Sequence, residues 1–318
     1  MPGNITIIKM ELPLVTAIIP NYNHAKFLNE RIKSVLNQTY KNFEIIILDD
    51  KSTDNSVDII KQYKDNKHIS HIIINKVNSG SPFIQWQKGF ELAKGELIWI
   101  AESDDACEKN FLETLVYEFN KDRNCVIAFC KSFKIDTKGN IISEEGLQYP
   151  LHIDGIQFIK KYLSRHNYIS NASSAIFRID VLEKIDWSFT TYRGCGDWIV
   201  WVEICRCGNI AYINIPLNYF RIHGDNTTTR QAFSGKNEIE GVKVYTFMRK
   251  KNYIGYKEEL RARISHIYSV KYGKQHLFYS AEIKKEILKA WKETPFIEIL
   301  TKIIYFIQSH SNLQIIRR

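Results

Sequence analysis

The first hundred residues alternate between short runs of consecutive apolar residues and stretches in which apolar residues recur every three or four positions. The continuous runs are rich in β-branched residues and predict buried strands at residues 14–20, 43–48, 71–74 and 97–101. The stretches with helical spacing predict helices at residues 25–37, 57–63 and 83–93. Strands that alternate with helices in this way predict an α/β fold whose central sheet is mostly parallel and covered on both faces.

The pattern becomes less regular after residue 105. We expect a helix over 111–121, a hairpin built from the apolar runs 126–130 and 132–135, and a later strand, helix and strand over 173–177, 198–205 and 211–215. Beyond residue 235 the sequence is basic and helix-forming. Residues 236–318 hold 17 Lys and Arg against 8 Asp and Glu, which accounts for the whole net charge of +9. The sequence therefore predicts an α/β domain over residues 1–235 and a basic helical region over residues 236–318.

Polar and acidic residues follow three of the predicted strands. Asn21-Tyr22-Asn23 follows the first strand, Asp49-Asp50 the second and Asp104-Asp105 the fourth. In open parallel sheets, ligands bind beyond the carboxyl ends of the strands. These residues therefore predict a binding site at one edge of the sheet.

Three acidic side chains lie within four residues in Glu102-Ser103-Asp104-Asp105. Carboxylates this close repel one another unless a cation or a proton intervenes. Mg²⁺ typically binds one or two carboxylates together with substrate phosphates. The residues alone leave two interpretations open, a divalent-cation site and an acidic turn before the next helix. The position of the cluster on the same sheet edge as Asp50 favours the cation site.

Several classes of protein are disfavoured by what the sequence lacks. No G-x-x-x-x-G-K-[ST] motif is present, and no G-x-G-x-x-G follows the first strand, which argues against P-loop NTPases and dinucleotide-binding oxidoreductases. The six cysteines form no C-x-x-C pair and are expected to be reduced thiols, not disulfides or metal ligands. No apolar run reaches the roughly 20 residues that span a bilayer, and no signal peptide is visible, so a cytoplasmic location is expected.

A series of short motifs occurs in order along the first third of the chain. They are Ile19-Pro-Asn-Tyr-Asn23, Ser34-Val-Leu-Asn-Gln-Thr-Tyr40, Phe43-Glu-Ile-Ile-Ile-Leu-Asp-Asp50, Ser52-Thr-Asp-Asn-Ser56, Asn78-Ser-Gly80, Ala93-Lys-Gly-Glu-Leu-Ile98 and Glu102-Ser-Asp-Asp105. In this combination the chain resembles the family 2 glycosyltransferases, which are inverting enzymes with a GT-A fold. The resemblance is dense from about Leu14 to Leu115 and continues more sparsely to about Thr229. It implies a GT-A type nucleotide-sugar-binding domain followed by a helical extension.

The resemblance implies a binding site for a nucleotide-sugar donor, with a UDP-sugar as the expected donor. At matching positions it assigns donor-binding roles to Pro20, Tyr22, Asp50, Asn78, Ser103, Asp105 and Arg221. In this assignment Tyr22 stacks on the base, Asp50 accepts a hydrogen bond from the base and Arg221 contacts phosphate. Asp105 faces the donor sugar or supports the metal site.

The resemblance also implies a divalent metal, Mn²⁺ or Mg²⁺, bound by Asp104, His223 and Glu102. Glu102 stands where the family usually has Asp, and His223 belongs to a late Tyr219-Phe-Arg-Ile-His223 element accompanied by Asn226. Asp197, in Gly194-Cys-Gly-Asp-Trp198, matches the region that carries the family's catalytic base. The local alternative for Asp197 is a carboxylate placed where the helix dipole favours negative charge.

Trp198 and Asn171 are the residues expected to contact the acceptor, although core packing is an equal alternative for Trp198. The expected acceptor is a hydroxyl of a saccharide or lipid-linked saccharide in cell-surface polysaccharide synthesis, and the transferred group a hexosyl or N-acetylhexosaminyl unit. No nucleic-acid partner is expected. Two other functions stay open, a non-catalytic nucleotide-sugar-binding relative and a nucleotidyltransferase. The second would need a Gly-rich basic loop that residues 19–24 lack.

An apolar stretch at residues 296–307 is too short to span a membrane. Its basic surroundings suit contact with anionic lipid at the inner face of the cell membrane. Packing against the catalytic domain or against a second subunit of a homo-oligomer is the alternative.

Overall fold

The computed structural model describes residues 12–169, 171–224, 234–273 and 279–310. The first hundred residues form strands and helices in strict alternation. The strands are β1 (Val15–Asn21), β2 (Phe43–Asp49), β3 (Ile69–Ile74) and β4 (Leu97–Ile100). The helices between them are α1 (Ala25–Leu36), α2 (Ser56–Lys61) and α3 (Pro82–Leu92). Every element predicted in this part of the chain is present within a few residues of its predicted bounds.

The middle of the chain adds further strands and three helices. In order, these elements are β5 (Ala106–Cys107), α4 (Phe111–Lys121), β6 (Cys125–Ile135), β7 (Ile141–Glu145), β8 (Leu151–Asp154), α5 (Gly155–Phe158), β9 (Ala175–Arg178), α6 (Gly196–Cys205) and β10 (Asn209–Arg221). A π-helical turn, Ile159–Leu163, continues α5, and short 3-10 helices occupy Ala172–Ser174, Ile179–Lys184 and Trp187–Thr191.

The hairpin predicted within residues 126–135 is wrong, because β6 runs without a break from Cys125 to Ile135. Lys131, the polar residue between the two apolar runs, stays within the strand, and its Nζ pairs with Glu144 of β7 at 3.1 Å. The turn lies later, where Asp136 Oδ1 accepts hydrogen bonds from the N–H groups of Lys138 and Asn140. Hydrogen bonding within an Asx turn of this kind ends a strand more effectively than one lysine does.

The ten strands of the described residues form one sheet. Eight of them lie in the order β3-β2-β1-β4-β9-β6-β10-β5, with β7 beside β6 and β8 beside β10. Six strands point in the same direction, namely β1, β2, β3, β4, β6 and β10. The sheet is therefore mostly parallel, as predicted, and the carboxyl ends of β1, β2, β4 and β10 meet at one edge. Because β9 is antiparallel, it begins at that same edge.

Both faces of the sheet are buried. Successive residues of β1 and β2 point to opposite faces, so Ile18 and Ile46 join one apolar cluster while Ala17 and Ile45 join the other. Residues of α3 and α6 cover the first face, and residues of α1 and α4 cover the second. The continuous apolar runs in the sequence follow from this double burial.

The C-terminal part consists of α7 (Lys236–Lys250), α8 (Tyr256–Tyr272), α9 (Ala281–Ala290) and α10 (Pro295–His310). Val244, Tyr245 and Met248 of α7 lie in the same buried cluster as Trp198 and Trp201 of α6. The predicted boundary at residue 235 thus marks a change in the type of element, while the apolar core continues across it. Within the described ranges, none of the helices combines the length and apolarity that crossing a bilayer requires.

Candidate functional site

A cavity of about 690 Å³ opens at the edge where the parallel strands end. Its wall includes Tyr22 after β1, Asp50 after β2, Asp104 after β4 and Asp197 at the start of α6. The strand directions explain this convergence, since residues far apart in sequence follow strands that end at the same edge. The predicted site edge is therefore a real cavity.

Two residues of the cavity wall, His24 and Asp104, form a cluster of potential metal ligands with His223. Potential ligand atoms of His24, Asp104 and His223 all lie within 4.8 Å of one another. His223 Nε2 lies 2.9 Å from Asp104 Oδ2, and His24 Nδ1 lies 2.8 Å from Ser103 Oγ. Burial would favour a neutral Asp104, but the hydrogen bond with His223 and the nearby His24 hold the pKa of Asp104 below its usual range. The cluster thus presents an ionised carboxylate between two imidazoles.

Glu102, predicted as a metal ligand, lies outside this cluster of the described residues. One carboxyl oxygen of Glu102 accepts a hydrogen bond from Trp86 Nε1 at 3.0 Å. Burial, together with the charges of Asp104 and Asp105, raises the pKa of Glu102 to about 8. A neutral carboxyl group must lose its proton before it can bind a cation. Among the described residues, the candidate cluster contains His24 beside Asp104 and His223, whereas the predicted ligand set has Glu102 in that position.

Asp105 is buried behind the cavity and organises its floor. Its carboxylate accepts hydrogen bonds from Asn171 Nδ2 at 2.9 Å, Ser173 Oγ at 2.7 Å and the Arg221 N–H at 2.9 Å. Arg31, fully buried beneath the acidic turn, donates to the Glu102 carbonyl at 2.8 Å. Of the two roles predicted for Asp105, these contacts favour support of the candidate metal cluster.

Arg221 does not take the phosphate-contacting position predicted for it. Its guanidinium is buried and donates to the Asp104 carbonyl, the Asp136 carbonyl and the Glu30 carboxylate at 2.8, 3.1 and 2.7 Å. These contacts fix the segment that carries Asp104. The sequence places Arg221 at the strand end, but it does not reveal that the side chain turns inward.

The cavity wall also contains several of the residues predicted to bind the donor. Pro20 and Asn78 line it, and the Tyr22 ring is 46% exposed there. Asp50 Oδ1 accepts hydrogen bonds from the side-chain amides of Asn75 and Gln85, and its Oδ2 accepts one from Ser79 Oγ. Asp50 therefore orders the loop between β3 and α3 in addition to facing the cavity.

Asp197 lies in the first turn of α6, and Gly194 and Arg193 line the cavity beside it. Asp197 Oδ2 accepts a hydrogen bond from Asn167 Nδ2 at 2.8 Å. Burial raises the pKa of Asp197 to about 7, although the backbone N–H of Trp198 and the Asn167 amide partly oppose that rise. A carboxylate with a pKa near the working pH is suited to general-base chemistry.

The two residues predicted to contact the acceptor have different surroundings. Asn171 lines the cavity, while its Nδ2 also donates to Asp105. Trp198 is buried in the core instead, and its Nε1 donates to the Leu163 carbonyl at 3.1 Å. The structure therefore gives Trp198 the packing role that was its alternative. Asn226 lies outside the described residues.

Sequence reasoning missed four residues that shape the site, namely His24, Arg31, Asn167 and Arg193. His24 had a usable signal, because it ends the turn-rich segment after β1 on the predicted site edge. Arg31 lies on the buried face of α1, where its charge could have suggested an acidic partner. Asn167 and Arg193 lie in irregular segments, and no pattern in the sequence points to them.

Comparison with known protein families agrees with this geometry. The family model described as "Glycosyl transferase family 2" matches residues 16–186, just over half of the chain. An uncharacterized glycosyltransferase of Nostoc is 29% identical over 67% of this chain and 66% of its own length. The putative teichuronic acid biosynthesis glycosyltransferase TuaG of Bacillus subtilis is 36% identical over 37% of this chain and 46% of its own length. The chain thus spans less than two thirds of either relative.

The fold is shared with solved structures, among them those of TarS and PcManGT. S. aureus TarS residues 1–349, in complex with UDP-GlcNAc, superimposes with a TM-score of 0.67 over 87% of this chain and 79% of that one, at 15% identity. The mannosyltransferase PcManGT from Pyrobaculum calidifontis, in complex with GDP-Man and Mn²⁺, gives a TM-score of 0.56 over 94% of this chain and 81% of that one, at 14% identity. At these identities the likeness concerns the fold alone.

Proposed function

The chain belongs to glycosyl transferase family 2, and from that premise we propose that it moves a sugar from a nucleotide-diphosphate donor to a hydroxyl of a saccharide acceptor, with inversion at the anomeric carbon. One observation carries the proposal. A single cavity is lined by Asp197, a carboxylate suited to general-base chemistry, and by His24 and Asp104, which form a cluster suited to a divalent cation together with His223.

The donor side of the cavity lies along the carboxyl ends of β1 and β2. The half-exposed Tyr22 ring offers a stacking surface for a base, and Pro20 and Asn78 lie beside it. TarS was solved with UDP-GlcNAc, which supports a UDP-sugar as the donor and an N-acetylhexosaminyl or hexosyl unit as the transferred group.

The cluster His24, Asp104 and His223 fits a divalent cation, because it combines an ionised carboxylate with two imidazoles whose ligand atoms lie within 4.8 Å. Mg²⁺ prefers oxygen ligands, so a set with two imidazoles favours Mn²⁺ over Mg²⁺. PcManGT was solved with Mn²⁺. When bound, such an ion would neutralise charge on the departing nucleotide diphosphate.

Asp197 is the proposed general base. Its carboxylate takes the proton of the acceptor hydroxyl while the hydroxyl oxygen forms a bond to the anomeric carbon. The bond from that carbon to the diphosphate oxygen breaks, and its electron pair leaves with the nucleotide diphosphate. Asn167 keeps the carboxylate oriented through the hydrogen bond to Oδ2. Attack from the face opposite the leaving group inverts the anomeric configuration.

A donor screen tests the proposed function directly. The protein is incubated with UDP- and GDP-sugars, Mn²⁺ and a panel of saccharide acceptors, and release of nucleotide diphosphate and formation of product are followed together. We expect acceptor-dependent release and a product whose anomeric configuration, read by NMR, is opposite to that of the donor. Donor binding without release across the panel would instead identify a non-catalytic nucleotide-sugar-binding protein. A product with the donor's configuration would contradict inversion.

The chemistry of α10 bears on the acceptor. Phe296, Ile299, Ile303 and Phe306 recur at helical spacing and are 62%, 58%, 48% and 62% exposed. An exposed apolar stripe on a strongly basic C-terminal region suits an anionic membrane surface, where a lipid-linked saccharide would be presented. We propose that α10 rests on such a surface at the cytoplasmic face of the cell membrane.

Vesicle binding tests the role of α10. We expect the protein to co-sediment with phosphatidylglycerol vesicles, and we expect the double variant Ile299→Glu/Ile303→Glu to lose most of that binding. Equal binding of the two proteins would remove the membrane role. Concentration-dependent dimerisation that the same variant abolishes would assign the stripe to a homo-oligomer instead.

A further inference from the structure

Glu240, in the first half of α7, bonds to a backbone segment that precedes it by more than 40 residues. Its Oε1 accepts a hydrogen bond from the Arg193 N–H at 2.9 Å. Its Oε2 accepts from the N–H groups of Gly194 and Cys195 at 2.8 and 2.9 Å. One carboxylate thus satisfies three consecutive backbone donors.

The segment held by Glu240 leads directly into the proposed base. Cys195 is the residue before α6, and Asp197 lies in the first turn of that helix. Arg193 and Gly194 line the cavity beside Asp197. Residues 192–195, between the 3-10 helix Trp187–Thr191 and α6, belong to no helix or strand, so these N–H groups need a partner from elsewhere. An ionised carboxylate is a strong partner for them, and its negative charge suits the start of a helix.

The helix that carries Glu240 is itself rigidly placed. Val244 and Met248 of α7 are fully buried, and Tyr245 packs edge-on against Trp198 with their ring centroids 5.5 Å apart. The Cys195 Sγ also contacts the Asn237 carbonyl at 3.6 Å. The carboxylate of Glu240 therefore extends from a tightly packed helix to the segment that precedes α6.

We propose that Glu240 is a positioning residue for the transfer reaction, and that through it the C-terminal helices set the place of Asp197 and of the Arg193–Gly194 wall. Glu240 acts on the backbone and does not touch the reacting atoms. This role rests on the proposed function, because Glu240 is proposed to orient Asp197 and Asp197 is the base only in that reaction.

The test compares the variants Glu240→Ala and Glu240→Gln with the wild type and with Glu286→Ala, an exposed glutamate of α9. Misplacement of a catalytic group by an ångström can lower the rate by about 100-fold, so we expect Glu240→Ala to lower kcat by roughly 10- to 100-fold. Donor KM should change much less, because Tyr22, Asp50 and the metal cluster lie on other segments. Glu240→Gln keeps one accepting oxygen and should recover part of the lost rate, while Glu286→Ala should match the wild type.

Hydrogen exchange gives a readout that needs neither donor nor acceptor. The amides of Arg193, Gly194 and Cys195 should exchange faster in Glu240→Ala than in the wild type, and in Glu286→Ala they should not. If Glu240→Ala does not fold, both kcat and hydrogen exchange are measured on Glu240→Gln. A wild-type kcat together with unchanged exchange in a folded Glu240 variant would overturn the positioning role and leave the proposed function standing. Absence of transfer by the wild type would overturn the proposed function. Hydrogen exchange would still test whether Glu240 holds the backbone of residues 193–195.

Discussion

Three acidic side chains of the cavity wall differ in charge state because their neighbours differ. The pKa of Asp104 is lowered by His223 and His24 despite burial, whereas burial raises the pKa of Asp197 to about 7 and that of Glu102 to about 8. The same functional group is therefore suited to binding a cation, to accepting a proton and to donating or holding one. Environment, and not residue type, separates the roles.

The raised pKa of Asp197 predicts a pH dependence. A base must be ionised to accept a proton, so kcat/KM should rise with pH and level off above the pKa of Asp197, about 7. The measurement is kcat/KM against pH at saturating Mn²⁺, with donor binding recorded at each pH as the control. A profile that is flat through neutral pH, or that falls as pH rises through 7, would contradict the assignment.

The candidate metal cluster predicts which substitutions affect cation binding. Loss of an outer partner of a metal site typically weakens binding by about 10- to 100-fold. His24→Ala and Asp104→Asn remove proposed direct ligands, so they should weaken Mn²⁺ binding at least as much. Glu102→Gln is the matched control, because Glu102 lies outside the cluster. Titration calorimetry of Mn²⁺ into each protein measures these affinities. If Glu102→Gln weakened binding as much as Asp104→Asn, the original ligand prediction would be restored.

Single residues also show which features of the site the sequence predicts and which it does not. Asp104 and His223 were assigned to one site by resemblance, and they do meet at 2.9 Å. Arg221 lies two residues from His223, yet its side chain turns inward to the Asp104 carbonyl. The direction of a side chain at a strand end depends on its packing partners, here Phe27 and Glu30 of α1. Those partners belong to a distant part of the sequence, so the pattern around Arg221 does not reveal them.

At the scale of elements, the strands buried on both faces were the most predictable part of the fold. Continuous apolar runs located β1, β2 and β4 within a residue or two, because burial on both faces leaves no polar alternation. The prediction failed at β6, where Lys131 looked like the polar residue of a turn. Its pairing with Glu144 on a neighbouring strand keeps it in the strand, and such cross-strand pairs are invisible to a local pattern.

Packing between elements predicts opposite effects for two glycine substitutions. A Cβ at Gly155, the first residue of α5, would lie 1.6 Å from the carbonyl oxygen of Cys205 at the end of α6. Gly155→Ala should therefore destabilise the protein by at least about 1–3 kcal/mol, the usual range for overpacking. A Cβ at Gly241, inside α7, would meet Trp291 at an ordinary 3.6 Å.

Gly241→Ala is the matched comparison. It should stabilise the protein by roughly 0.5–1 kcal/mol, because alanine loses less backbone entropy than glycine in a helix. Urea unfolding of the two variants beside the wild type measures both effects. Similar midpoints for Gly155→Ala and the wild type would mean that α5 and α6 do not approach each other as closely as described.

At the scale of the whole molecule, the C-terminal helix α7 packs directly against the α/β domain. Tyr245 of α7 and Trp198 of α6 share one buried cluster, and Glu240 bonds to the segment before α6. The sequence predicted helices and positive charge for this region because both are local properties. It did not predict the core that α7 shares with α6, because the contacts join residues separated by about 50 positions. Packing against the catalytic domain was an alternative for residues 296–307 alone.

The central claim is that this molecule catalyses inverting transfer with Asp197 as the base. The most direct test is the Asp197→Asn variant, which keeps the size of the side chain but cannot accept the proton. Positioned acid–base groups typically contribute 10²–10⁴-fold, so we predict a fall in transfer rate of about that size, with donor affinity in the presence of Mn²⁺ unchanged. Near-normal turnover by Asp197→Asn would contradict the account.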